Sequence, residues 1–151
     1  MESGIGAAAR AASPVSVVEE YWRLWAARDR VNAVALVAHD MVFAMYIPEH
    51  ILPFGGETKG KAAASDRLMV ILEQFDTLRY EGEVVRVNGD TVHGQVGYAF
   101  RHRLTREAIE GSMRVVVVVR DGLIVRWDEY HDLELVRAFM RLVSHVAHSS
   151  S

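Results

Sequence analysis

The 151-residue sequence contains no cysteine, which excludes disulfides and thiolate metal ligands. A chain without thiols suits a reducing compartment, so a cytoplasmic location is expected. Excess charge of either sign is also lacking. Seventeen Lys and Arg stand against twenty Asp and Glu, for a formal net charge of −3. The basic residues are scattered, leaving no electrostatic footprint for nucleic acid. No apolar run approaches the roughly 20 residues that a membrane-spanning helix needs, so no membrane partner is expected. Met1–Pro14 lacks a continuous apolar stretch and carries Glu2 where a secretion signal has basic residues. Residues 1–14 read as a disordered tail, and 148–151 as a frayed end.

Half the residues are apolar and a quarter charged, an ordinary globular balance. There is neither an internal repeat nor a linker beyond Pro14, and the length leaves room for one core. A single domain over residues 15–147 is therefore expected.

Hydrophobic periodicity supplies the elements. Ser16, with Glu19 three residues on, has the form of a capping box. After it Val17, Val18, Tyr21, Trp22, Leu24 and Trp25 recur at helical spacing. Asp29 opens a shorter helix through Ala38. Met41–Ile47 is rich in strand formers, and Pro48, Pro53 and Gly55-Gly56 mark a loop. A third helix is predicted over Lys61–Phe75, with Leu68, Met69, Ile71, Leu72 and Phe75 as its buried stripe.

The period then changes from 3.6 to 2. Strands are predicted over Leu78–Val87, Thr91–Leu104, Glu110–Arg120 and Leu123–His131, with hairpin turns at Asn88-Gly89-Asp90 and Asp121-Gly122. Asp132 caps a last helix to about Val146. Segregated helices and antiparallel strands make an α+β fold. The five valines Val115–Val119 read as buried on both faces. Helices can cover one face; a second sheet would cover the other, so a homodimer through the sheet is expected.

Three stretches in this order carry a family resemblance. They are Val17-Val18-Glu19-Glu20-Tyr21 with Asp29 beyond, Pro53-Phe54-Gly55-Gly56 with Gly60, and Asp121–Trp127 followed by Tyr130 and Asp132. Over about Val15–Val143 the chain resembles the nuclear transport factor 2-like superfamily, which includes ketosteroid isomerases, limonene epoxide hydrolases and SnoaL-like polyketide cyclases. The resemblance implies a cone-shaped, curved, mainly antiparallel sheet packed against three helices from the N-terminal half, plus a C-terminal helix. It also implies a pocket for a small apolar organic ligand inside the cone.

Alternation in the last strand puts Trp127, Glu129 and His131 on one face and Asp128 and Tyr130 on the other. The resemblance turns the Trp127 face inward and sets Glu129 at the pocket acid of the epoxide hydrolases and SnoaL-like cyclases. The Arg-x-Asp pair of the epoxide hydrolases is replaced by Val96 and Tyr98, and their water anchors by Phe43 and Met45, so that reaction is not expected. In the ketosteroid isomerase pattern Tyr21 matches the tyrosine. The base falls on Met45, or on Tyr46 after a one-residue slip, and neither is a good base.

The SnoaL-like pattern remains. It implies Glu129 as a general acid/base with Tyr21 and Tyr98 as hydrogen-bond donors to a developing enolate. The pocket would be completed by Trp25, Phe43, Met45 or Tyr46, Phe100, Val117 and Trp127. Phe54 would reach it from a lid loop over residues 49–58, and His131 would be a proton relay or a rim histidine. The plain alternative is that Glu129 is paired with Arg126 or Arg103 and Tyr21 is core. No pair among the seven histidines has helical zinc spacing, so no metal and no cofactor is expected. Two functions stay open: a cofactor-independent isomerase, cyclase or dehydratase acting on a small apolar carbonyl compound, or a non-catalytic ligand-binding or dimerisation module.

Overall fold

The computed structural model describes residues 12–53 and 55–149. Of the expected tail over residues 1–14, residues 1–11 lie outside the described residues, as does the expected lid residue Phe54; Pro14 already belongs to the first helix.

The first helix, α1 (Pro14–Ala26), starts on Ser13, whose hydroxyl oxygen accepts from the Ser16 amide at 3.1 Å. The cap is therefore Ser13, not Ser16. Pro14 takes the first helical position, where its missing N–H costs nothing and its fixed φ suits the helix. Asp29 caps α2 (Arg30–Ala35) by accepting from the Asn32 amide. The chain enters β1 (Val37–Met45) earlier than its periodicity implied, because Val37-Ala38 fits either period.

A short strand, β2 (Gly56–Lys59), lies where the sequence read only loop, and it pairs antiparallel with β1. Then come α3 (Lys61–Gln74), β3 (Phe75–Asn88), β4 (Thr91–His102), β5 (Ala108–Arg120), β6 (Leu123–Tyr130) and α4 (Leu133–Ser149). Phe75 opens a strand instead of closing a helix, and α4 runs beyond Val146.

One six-stranded sheet in the order β2-β1-β6-β5-β4-β3 holds the molecule together. All neighbours are antiparallel except β1 and β6, which run parallel. The fold is α+β as expected: a curved open sheet, three helices in the N-terminal half and one at the C-terminus. Bulges in β3 at residues 78 and 85 interrupt its register with β4, and such bulges bend a sheet. Asp121 and Gly122 both have positive φ (53° and 76°), which a type I′ hairpin turn requires.

Helix α1 seats itself on the sheet through Trp22. A Cβ placed on Gly82 would come within 2.1 Å of the Trp22 indole, and one on Gly94 within 2.6 Å. Two glycines in neighbouring strands thus make the trough in which the ring lies.

The valine run is buried on one face only. Val115, Val117 and Val119 are sealed under the helices, while Val116 and Val118 are half-buried on the open face. The expectation of burial on both faces fails within the single chain. Among the described residues, no helix is long and apolar enough to cross a membrane.

Candidate functional site

The parallel β1–β6 pair fixes the inner face. Phe43 lies opposite Trp127 and Met45 opposite Glu129, so these four side chains point the same way. This settles the register: Met45 is inside, and Tyr46 is outside. The structure corrects Tyr46 as a pocket residue, since it is 44% exposed and its hydroxyl donates to Asp128 Oδ1 at 2.9 Å on the open face.

Across β6, Val117 pairs with Trp127 and Val115 with Glu129. Val117 is fully buried beneath Trp127 and packs in the solid core, so it too is corrected as a lining residue.

The remaining described site residues meet around one cavity of about 120 Å³. Tyr21, Trp25, Phe43, Met45, Tyr98, Phe100, Trp127, Glu129 and His131 all line it. From α1, Tyr21 stacks on Trp25 one turn away (6.1 Å between centroids) and tilts against Trp127 (5.1 Å). From β4, Tyr98 lies beside Phe100 and edge-on to His131. Leu68, Ile71 and Leu72 of α3 close one side, though Met69 of the expected stripe faces outward.

Glu129 is buried, and both of its oxygens are engaged. The Trp127 indole N–H donates to Oε1 at 3.1 Å, and His131 Nε2 lies 2.8 Å from Oε2. Among the described residues, no arginine touches it. Arg126 makes a two-point pair with Asp128 on the opposite face (2.8 and 2.9 Å), and Arg103 is taken by Asp76 (2.9 Å). Strand alternation explains this: Arg126 and Asp128 both have their backs to the cavity. The alternative that tied Glu129 to either arginine is therefore overturned.

His131 is partly buried, its side chain 9% exposed, and its Nδ1 has no hydrogen-bond partner among the described residues. With Nε2–H given to the carboxylate, the neutral ring offers a free acceptor at Nδ1 and the protonated ring a free donor.

Two groups of lining residues were not legible beforehand. Tyr80 of β3 is one. It lies opposite Tyr98 only because of the bulge at residue 85; an unbroken ladder from the Asn88-Thr91 pair would place it opposite Ala99, on the other face. The second group is Val136, Phe139 and Met140, with which α4 closes the cavity.

Three tyrosines thus face a space with one carboxyl group. Burial, with Glu129's negative charge second, pushes Tyr21 far above the ordinary phenol range and Tyr98 up to about 12; burial, then the neighbouring Tyr21 and then Glu129, pushes Tyr80 well above that range. All three remain protonated at neutral pH. None of their hydroxyls bonds to another described residue. They are hydrogen-bond donors aimed at an apolar chamber, beside a carboxyl group already oriented by an indole and an imidazole. Among the described residues, no three His, Asp or Glu side chains cluster to hold a metal ion.

Comparison with known proteins agrees with this fold. A family model described as SnoaL-like domain matches residues 18–127. No curated protein matches the chain. Among solved structures, an NTF2-like protein from Burkholderia thailandensis E264 is 22% identical, with a TM-score of 0.74 over 85% of this chain and 98% of that one. TerC, co-crystallised with polyporic acid, is 14% identical, with a TM-score of 0.75 over 85% of this chain and 98% of its own. An NTF2-like protein from Burkholderia xenovorans LB400 is 20% identical, with a TM-score of 0.71 over 84% of this chain and 95% of that one. At these identities the likeness is one of fold.

Proposed function

The chain belongs to the SnoaL-like domain family, and on that premise we propose that it is a cofactor-independent acid/base enzyme acting on a small apolar carbonyl compound. The observation that carries this reading is the state of Glu129: buried in the wall of an apolar cavity, held by Trp127 and His131, and neutralised by no arginine among the described residues. Co-crystallisation of the fold relative TerC with polyporic acid supports a small-molecule pocket in this architecture.

In this reading the Glu129 carboxylate removes a proton from the carbon next to the ligand's carbonyl. Electron density moves onto the carbonyl oxygen, which accepts from the hydroxyls of Tyr98 and Tyr21, with Tyr80 alongside. Their donors are in place before the reaction, in an apolar site, and there such hydrogen bonds stabilise most. The proton then returns to a different carbon, or leaves with a hydroxyl group as water. His131 fixes the Glu129 carboxylate and offers Nδ1 as a second relay point. The cavity, about 120 Å³, suits a body of about one ring.

Small apolar ketones and aldehydes, screened by thermal shift, are expected to raise the melting temperature of the native chain. Glu129→Gln should retain that shift and lose conversion by about 10²-fold or more. Equal turnover in Glu129→Gln would remove the carboxyl group from the mechanism. Ligand binding by the wild type with no conversion of any bound compound would leave a binding module.

The same reading includes a homodimer through the open sheet face. Its support is the half-buried pair Val116 and Val118 next to the stacked rings of Tyr46 and Tyr130 (4.6 Å), with Arg114 over Tyr130.

A further inference from the structure

A second space, of about 570 Å³, opens where the ends of α1 and α3 meet the start of β3 and the end of β4. Its wall includes Trp25, Leu72 and Phe75, which also line the apolar cavity. The two spaces therefore adjoin through those three side chains.

Their chemistry differs. Among the described residues Arg28, Arg30, Arg101 and Arg103 line the cleft against only Glu73 and Asp76, in a chain whose net charge is −3. The neighbours leave guanidinium donors over. Asp76 is ion-paired with Arg103, its Oδ1 2.9 Å from Nε, and stands 3.8 Å from an Arg101 terminal nitrogen. Arg28 gives one nitrogen to the Thr77 carbonyl at 3.0 Å, and Arg30 rests on the Met69 sulfur. Arg101 Nε is buried with no acceptor among the described residues. A buried donor left unmet is costly; this one is closed to solvent, so a ligand would meet the Arg101 guanidinium at its terminal nitrogens.

We infer that the ligand is an amphiphilic carboxylate, with its apolar body in the cavity and its carboxylate held by the arginine cleft. This rests on the reading of the cavity as a ligand site and names the substrate class. Guanidinium groups suit the purpose because their planar fork matches a carboxylate at two points. The placement also orients the molecule. From Trp25 at the shared rim the lining passes to Tyr21, then Trp127, then Glu129. An anionic head held by the arginines stays clear of Glu129, and the carbon skeleton is presented to it.

Calorimetric titration of the full chain at neutral pH and low ionic strength with hydrocinnamate and its uncharged isostere hydrocinnamamide tests the inference. The acid is expected to bind about tenfold tighter than the amide or better, as befits charge-assisted hydrogen bonds. Arg101→Gln should bring the acid down to the amide's level and leave the amide unchanged. Arg30→Gln should do part of the same, and added salt should shrink the acid's advantage. Equal binding of acid and amide to the wild type overturns the inference and leaves the cavity reading intact. So does an acid preference that survives both substitutions in folded variants. If neither compound binds, the cavity reading falls and the inference falls with it.

Discussion

Glu129 and His131 sit two residues apart on one strand, so alternation alone brings them to the same face, where they bond at 2.8 Å. Removing the imidazole while keeping a hydrogen-bond donor, as in His131→Gln, should lower kcat about tenfold with little change in KM, and should alter the pH–rate profile. A KM effect alone would give His131 a place in binding only. The tyrosines make a separate statement about stability. Tyr98's phenol, raised from about 10 to about 12, favours the folded state while it is protonated. Its contribution is complete below pH ~10, the unfolded value, and is lost as pH rises through about 12. Urea midpoints should accordingly fall across that window, and fall less steeply in Tyr98→Phe. Tyr21 and Tyr80, shifted the same way and further, extend the decline to higher pH.

At the scale of elements, much was legible and the exceptions have causes. The inward face of β6 followed from alternation plus the family resemblance, and both hairpins from their Asn-Gly and Asp-Gly turns. Strand β2 was missed because Gly-Glu-Thr-Lys carries no apolar alternation; it is an edge strand held by pairing with β1. Tyr80 was missed because the extra residue at 85 reverses which side of the sheet the side chains face between it and the second bulge at 78. The lining residues of α4 were missed because a helix pattern shows which stripe is apolar, not what the stripe will cover. Two elements invite measurement. Ser13→Ala should cost about 1 kcal/mol in chemical denaturation, since it removes the cap of α1. Gly94→Ala should cost about 1–3 kcal/mol, because its methyl would lie 2.6 Å from the Trp22 ring. In a Trp22→Leu background most of that penalty should vanish, and full additivity would show that the ring is not what the glycine accommodates.

For the molecule as a whole, the sheet divides two environments. One face carries the helices, the sealed core and the hollow that Glu129 borders. The other shows Val116, Val118 and the Tyr46–Tyr130 stack, with Asp128 held by Arg126 and Tyr46. If that face pairs with a second copy, sedimentation should give twice the chain mass, and Val118→Lys should give a monomer with unchanged far-ultraviolet dichroism. A wild type that sediments as a monomer at micromolar concentration would end the dimer reading without touching the cavity.

The chemistry of the cavity comes down to whether Glu129 takes a proton from carbon, and exchange at a carbon acid reads that step without needing the natural ligand. Acetophenone in deuterium oxide, followed by proton NMR, should lose its methyl protons faster with the wild-type chain than in buffer, and Glu129→Gln should slow the catalysed exchange by about 10²-fold or more. Equal rates for the wild type and Glu129→Gln, or no acceleration over buffer by the wild type, would contradict the acid/base role assigned to this carboxyl group.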